Sequence, residues 1–251
     1  MEFPKSLLIS GESGMGKSVS LMNLKNPEGV LYFNCEYGKP LPFKNKFVKK
    51  TITDPEDIIA LLQMIREDED YHEMVRKGER PQIHTVIIDT VSFMMDMYET
   101  EYIIGSSNTQ AAWGNDAQFF RRLMSEIAKT DVYAIFLGHL ESVLDEDASI
   151  MRTRVPVKGA LAKKGLEAFF TTVINVSKVP IRELEKTPNE MLTITPREEA
   201  LGFKHVFQTQ TTKKTVGDRI RSPFDLFKDE ELYIDNDAQA VIDRLHEYYT
   251  E

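Results

Sequence analysis

A single cysteine, Cys35, leaves no partner for an internal disulfide, and its place in an apolar run reads as a small buried hydrophobe. No stretch approaches the roughly 18–20 consecutive apolar residues of a membrane-spanning helix. The opening MEFPKSLLIS lacks the basic segment and long apolar core of a secretory leader. Basic residues are outnumbered, 31 Lys and Arg against 40 Asp and Glu for a net charge of −9. That balance excludes a uniformly basic coat for nucleic acid and confines any polyanion contact to a local patch. Internal repeats and low-complexity tracts are also missing. Together these absences predict an intracellular, cytoplasmic protein with no membrane contact. Its 251 residues are expected to form one domain, 1–251, large enough to bury a core without staples.

What is present is an alternation of short apolar runs and helical patterns. Residues 6–10 (SLLIS), 30–35 (VLYFNC), 85–89 (TVIID) and 132–137 read as buried strands. A short helix is expected over 17–24, stopped by Asn26-Pro27. Asp54, Pro55, Glu56 and Asp57 form a helix start ahead of Ile58, Ile59, Leu61, Leu62 and Ile65. Residues 66–80 read as a solvated helix end and loop, whereas Phe119, Phe120, Leu123, Met124 and Ile127 recur at helical spacing. Such alternation implies an α/β fold with a mostly parallel central sheet and helices on both faces. Beyond residue 140 the pattern predicts a polar loop to about 158 and a helix through Phe170. Strands at 172–176, 192–195 and 205–209 would extend the sheet antiparallel, and Asp235 to Asp237 cap a last amphipathic helix.

The sequence GESGMGKS, comprising Gly11, Glu12, Ser13, Gly14, Met15, Gly16, Lys17 and Ser18, meets the pattern GxxxxGK[ST] between a strand and a helix. Glycines let backbone N–H groups face a nucleotide's phosphates, Lys17 neutralises β/γ charge, and the Ser18 hydroxyl is a Mg²⁺ ligand. ATP and Mg²⁺ are the cofactors expected. Asp89 ends an apolar strand at the same sheet edge, where a carboxylate partner of that Mg²⁺ belongs. Glu36 ends the preceding strand and has the position either of a base for the attacking water or of an exposed loop glutamate.

These residues resemble the RecA/RadA family of recombinase cores, and among them the small phage RecA-like ATPases associated with single-strand annealing. The resemblance implies a RecA-like P-loop NTPase core, with the host cytoplasm as its place if phage-encoded. LYFNCE resembles the strand ending in the family's catalytic glutamate, here Glu36, and VIIDTVSFM its Walker B segment through Asp89. AIFLGH resembles the strand ending in a polar γ-phosphate sensor, with His139 where bacterial members have glutamine. GDRIRSPF resembles the segment whose basic residue reaches ATP across a subunit interface, which puts Arg219 there, with Lys213 and Lys214 next in line. Residues 138–165 correspond to the family's second DNA-binding loop, in which Arg152, Arg154, Lys158, Lys163 and Lys164 lie in a stretch free of acids. The first such loop would fall at 102–115, where Trp113 is either a stacking aromatic or a partly buried anchor.

The family's N-terminal docking extension has no counterpart ahead of the first core strand. Self-assembly into a filament or ring through core faces, loading by a single-strand-binding protein, and a monomer are therefore all open. The expectation is an ATPase, DNA-stimulated, that binds single-stranded DNA in recombination or annealing. Its alternative is a regulatory or assembly ATPase on the same core without DNA. A P-loop phosphotransferase lacks its arginine-rich lid here, and AKTD at 128–131 precedes its strand instead of following one, against a GTPase.

Overall fold

Parallel strands covered on both faces must be apolar at nearly every position, and the runs recognised above obey this rule. The computed structural model describes residues 6–146 and 150–250, with the side chains at 109–111, 113, 160 and 163 outside the description. The N-terminal half contains β1 (Ser6–Gly11), β2 (Val30–Asn34), β3 (Val48–Thr51), α1 (Glu56–Glu67), α2 (Glu69–Arg76), β4 (Thr85–Asp89), α3 (Val91–Tyr98) and α4 (Thr109–Lys129). Then come β5 (Tyr133–His139), β6 (Glu141–Asp145), β7 (Ile150–Arg154), α5 (Gly159–Lys164), β8 (Thr172–Pro180) and α6 (Ile181–Leu184). The chain closes with α7 (Pro196–Leu201), β9 (Phe203–Gln208), β10 (Tyr233–Asp235) and α8 (Ala238–Thr250).

Eight strands form one sheet in the order β10-β9-β8-β1-β5-β4-β2-β3, and β6 pairs with β7 as a separate hairpin. From β8 to β3 every neighbour is parallel, whereas β9 runs antiparallel to both β8 and β10. Alternate residues serve opposite faces. Leu8, Phe33, Ile88 and Phe136 pack with Ile58, Met94 and Phe120 from α1, α3 and α4. Leu7, Ile9, Ile87 and Ile135 pack with Leu21 and with Val241 and Leu245 of α8. The expected α/β sheet, with helices on both faces and late antiparallel strands, is the one observed. Among the described residues no helix is long and apolar enough to cross a membrane.

Several local expectations are corrected. Only a 3₁₀ turn, Ser18–Leu21, follows Lys17 in place of a helix over 17–24. Ser20 Oγ donates to Lys17 O at 2.6 Å, Met22 N bonds Val19 O, and Asn26 turns left-handed before Pro27, so the tighter i→i+3 pattern wins. Residues 69–76 form α2 where a loop was expected, because Asp68 caps it by accepting from Tyr71 N at 2.8 Å. The loop expected over 102–115 is shorter, spanning 104–108 with Gly105, Ser106 and Ser107: a π-helical turn covers Glu99–Ile103 and α4 starts at Thr109. The polar stretch before 158 contains the β6–β7 hairpin. The helix expected through Phe170 breaks at Gly165, whose φ of 77° is left-handed. Residues 192–195 join no ladder and are tethered to β10 by Asp235 N to Met191 O and Thr193 N to Asp235 Oδ1. Strand β3 escaped notice because VKKT is exposed at every position and carries no apolar pattern.

Phe207 in β9 is fully buried between the sheet and the cluster containing Ile234 and Leu245. Its replacement by Ala should cost about 3–5 kcal/mol, read as a lower denaturant midpoint at unchanged slope.

Candidate functional site

Parallel pairing brings the ends of four strands to one edge. Gly11 of β1 stands opposite His139 of β5, and Asp89 of β4 stands opposite both Leu137 of β5 and Asn34 of β2. Residues from these ends and from the loop after β1 line one cleft of about 250 Å³, including Ser13, Gly14, Gly16, Lys17, Ser18, Glu36, Asp89 and His139. Gly11 ends the strand, Glu12 and Ser13 are exposed, and Met15 O accepts a hydrogen bond from His205 Nδ1 at 2.8 Å. Gly16 is required, because its φ is 103° and a Cβ would come within 2.9 Å of Asn236 Nδ2. Asn236 Nδ2 in turn donates to Gly16 O at 2.9 Å, so the late chain braces the loop.

Lys17 is 6% exposed, and its ammonium donates to Gly11 O at 2.8 Å and Glu12 O at 3.0 Å. Burial pushes its pKa down to about 8 against the opposing pull of Asp89 and Glu36. His139 Nδ1 lies 3.3 Å from Lys17 Nζ, and Nε2 lies 3.3 Å from Glu36 Oε1. A neutral ring with its proton on Nε2 satisfies both, accepting from the ammonium and donating to the carboxylate. Desolvation, followed by the charge of Lys17, lowers the His139 pKa and favours that neutral form. Glu36 is further held by Lys39 Nζ at 3.0 Å.

Asp89 is 3% exposed, and its Oδ2 accepts from Ser18 Oγ at 3.1 Å and Tyr32 OH at 2.7 Å. Its Oδ1 has no hydrogen-bond partner. Burial raises the carboxyl's pKa, opposed by the Tyr32 and Ser18 hydrogen bonds. A buried carboxylate with one oxygen unsatisfied beside a serine hydroxyl fits a divalent cation. Among the described residues no three His, Cys, Asp or Glu side chains converge as a metal cage. Ser18 Oγ and the Asp89 carboxylate are oxygen donors of the kind that would hold Mg²⁺ together with water and phosphate oxygens.

Sequence reasoning missed several parts of this site. Asn34 Oδ1 accepts from Glu36 N at 2.9 Å and Gly38 N at 3.3 Å, an Asx turn that orients the glutamate. An Asn just before the strand's end was the available signal. Tyr32, Ser92 (whose Oγ accepts from His139 N at 3.2 Å), His205 and Asn236 had none, since their roles arise from contacts distant in sequence, whereas Lys39 reaches Glu36 across only three residues.

The other expected residues lie elsewhere. Arg219 Nη1 donates to buried Glu167 Oε2 at 2.9 Å and to Lys164 O at 3.3 Å, and neither it nor Lys213 or Lys214 lines the cleft. Arg152 pairs with Asp145, Arg154 with Glu141 at 2.9 Å, and Lys158 with Glu99. The segment free of acids in sequence therefore meets acids from β6 and the π-helical turn in space. Lys164 is exposed, and the side chains of Lys163 and Trp113 lie outside the described residues.

No curated protein matches the chain. A family model described as an AAA domain matches residues 4–217, which contain the glycine loop, Glu36, Asp89 and His139. With that match across most of its length, the chain belongs to the AAA domain family of P-loop ATPases.

Proposed function

We propose that this ATPase hydrolyses ATP with Glu36 as the base and couples turnover to single-stranded DNA, in the manner of the RecA-like phage annealing proteins its motifs resemble. The observation that carries the hydrolytic part is the chain of contacts from Lys17 through His139 to Glu36 within one cleft. Backbone N–H groups of the loop and Lys17 bind the phosphates and neutralise charge that builds on them in the transition state. Ser18 and Asp89 would hold Mg²⁺, which supplies further charge neutralisation at the β- and γ-phosphates. Glu36 orients a water for in-line attack and accepts its proton at a carboxylate oxygen. His139, touching both Lys17 and Glu36, is suited to report the phosphate's presence to the base.

Support for DNA coupling is the sequence resemblance together with connectivity. The β6–β7 hairpin starts two residues beyond His139, so a ligand on it acts on the strand that ends in the site. Arg152, Arg154 and Lys158 would reach phosphates only by leaving Asp145, Glu141 and Glu99, so contact through them must be weak and salt-sensitive. Those same pairs favour a second reading, a regulatory or assembly ATPase indifferent to DNA. Assembly into a filament or ring that used Arg219 in trans would require its release from Glu167.

Lys17→Ala should abolish nucleotide binding with the fold retained, measured by calorimetry and thermal melting. Glu36→Gln should bind ATP while turnover falls by about 10²-fold or more. Turnover with and without single-stranded DNA separates the two readings: stimulation supports coupling, and an unchanged rate supports the regulatory ATPase.

The Lys17 pKa of about 8 makes binding pH-dependent in a definite direction. Phosphates raise that pKa in the complex, so affinity is full below pH 8 and declines as pH rises toward the pKa of the bound state. Calorimetry near pH 9 in buffers of different ionisation enthalpy should register uptake of up to about one proton per ATP, and Lys17→Ala should abolish the binding itself.

A further inference from the structure

Between Glu36 and Asp54 the chain carries Lys39, Lys44, Lys46, Lys49 and Lys50 and no acid, within a protein of net charge −9. In space this stretch runs from the cleft wall to the open edge strand β3. Leu41, Phe43, Asn45 and Phe47 face inward, with the Phe43 and Phe47 rings packed edge-on at 6.1 Å, while Pro42, Lys44, Lys46 and Val48 face outward. An extended chain of this period sets Lys44 and Lys46 about 7 Å apart on one side. Lys49 and Lys50 follow on β3, which pairs with β2 alone among the described strands, and they share a groove with Arg80.

Two of these five charges are paired, Lys39 with Glu36 and Lys46 with Glu28, and three are not. Lys46 meets Glu28 in an exposed pair that contributes little, whereas Lys44, Lys49 and Lys50 have no carboxylate partner among the described residues. Arg152, Arg154 and Lys158 are each paired. On an acidic molecule the edge at 39–50 therefore presents three exposed lysines without a carboxylate partner among the described residues, whereas Arg152, Arg154 and Lys158 of the segment at 151–164 are all paired.

We infer that this lysine edge is the surface that holds the phosphodiester backbone of single-stranded nucleic acid; the inference rests on the DNA reading above. An aromatic platform adjoins it. Tyr37 is 79% exposed and lies edge-on to Phe93, whose ring in turn packs edge-on against His139. A base stacked on Tyr37 places the neighbouring phosphate near Lys39. Because the Lys39 ammonium is exposed and 3.0 Å from Glu36 Oε2, a phosphate competes with Glu36 for it and frees that oxygen for water. An acidic peptide is the rival occupant of the lysines, but it does not use the exposed ring.

The test compares binding of a fluorescent oligothymidylate by the parent, by Lys44→Glu/Lys49→Glu/Lys50→Glu, and by Arg152→Ala/Arg154→Ala/Lys158→Ala, across salt concentrations. The altered lysines are exposed, so thermal melting and ATP affinity should match the parent. Loss of three contacts should cut affinity at least about tenfold and flatten the salt slope by about 2, with a smaller change in the arginine variant. Tyr37→Ala should also weaken binding, and Lys39→Gln should bring turnover with and without DNA close to one value. If the lysine variant binds DNA as the parent does, this surface is wrong and the DNA reading survives. If the parent binds no DNA at all, that reading falls and takes the nucleic-acid assignment with it. Binding of polyglutamate but not DNA, lost in the lysine variant, would overturn the assignment in favour of an acidic protein.

Discussion

A buried ammonium organises this molecule. Lys17 lies almost out of water against the carbonyls of Gly11 and Glu12, and its desolvation is offset by those oxygens and by the carboxylates of Asp89 and Glu36. The positions of the carboxylates follow from it: each must sit at a strand end close enough to stabilise the charge without closing over it. Parallel strands β1, β5, β4 and β2, ending at one edge, satisfy that requirement together.

The same constraint links the site to its surroundings. His139 fills the gap between Lys17 and Glu36 as a neutral ring, so one side chain links the phosphate loop to the glutamate. Ser92 fixes the backbone of His139, and Asn34 fixes that of Glu36. On the other side, His205 and Asn236 grip Met15 and Gly16, which makes the late antiparallel strands part of the loop's support. Removal of the chain's C-terminal third would thus loosen the phosphate loop, because His205 and Asn236 would no longer hold it.

Charge tells a less direct story. Residues 151–164 have five cations and no acid in sequence, yet three of those cations end on Asp145, Glu141 and Glu99, because a hairpin and a helical turn fold acids back onto them. Residues 39–50 look unremarkable beside a phosphate loop, yet Lys44, Lys49 and Lys50 keep no carboxylate partner among the described residues, the last two on the exposed edge strand β3. Counting charges along a chain cannot distinguish these two outcomes.

By itself the sequence determined strands β1, β2, β4, β5, β8 and β9, the loop from Gly11 to Ser18 and the places of Glu36 and Asp89 at or just past strand ends, since burial on two faces and the glycine spacing are local patterns. It also determined the caps at Asp54 and Asp237, which act within one turn. Tertiary structure alone decided the rest. Tyr32 on Asp89, His205 on Met15 and Asn236 on Gly16 depend on how strands twist and chain ends meet. The commitment of Arg219 to Glu167 is of the same kind, for the two lie 52 residues apart and only the packing of β8 and its neighbours joins them. Strand β3 and helix α2 were hidden because an exposed edge and a charged helix carry no apolar period. What makes both stable is a partner strand and a cap rather than their own composition.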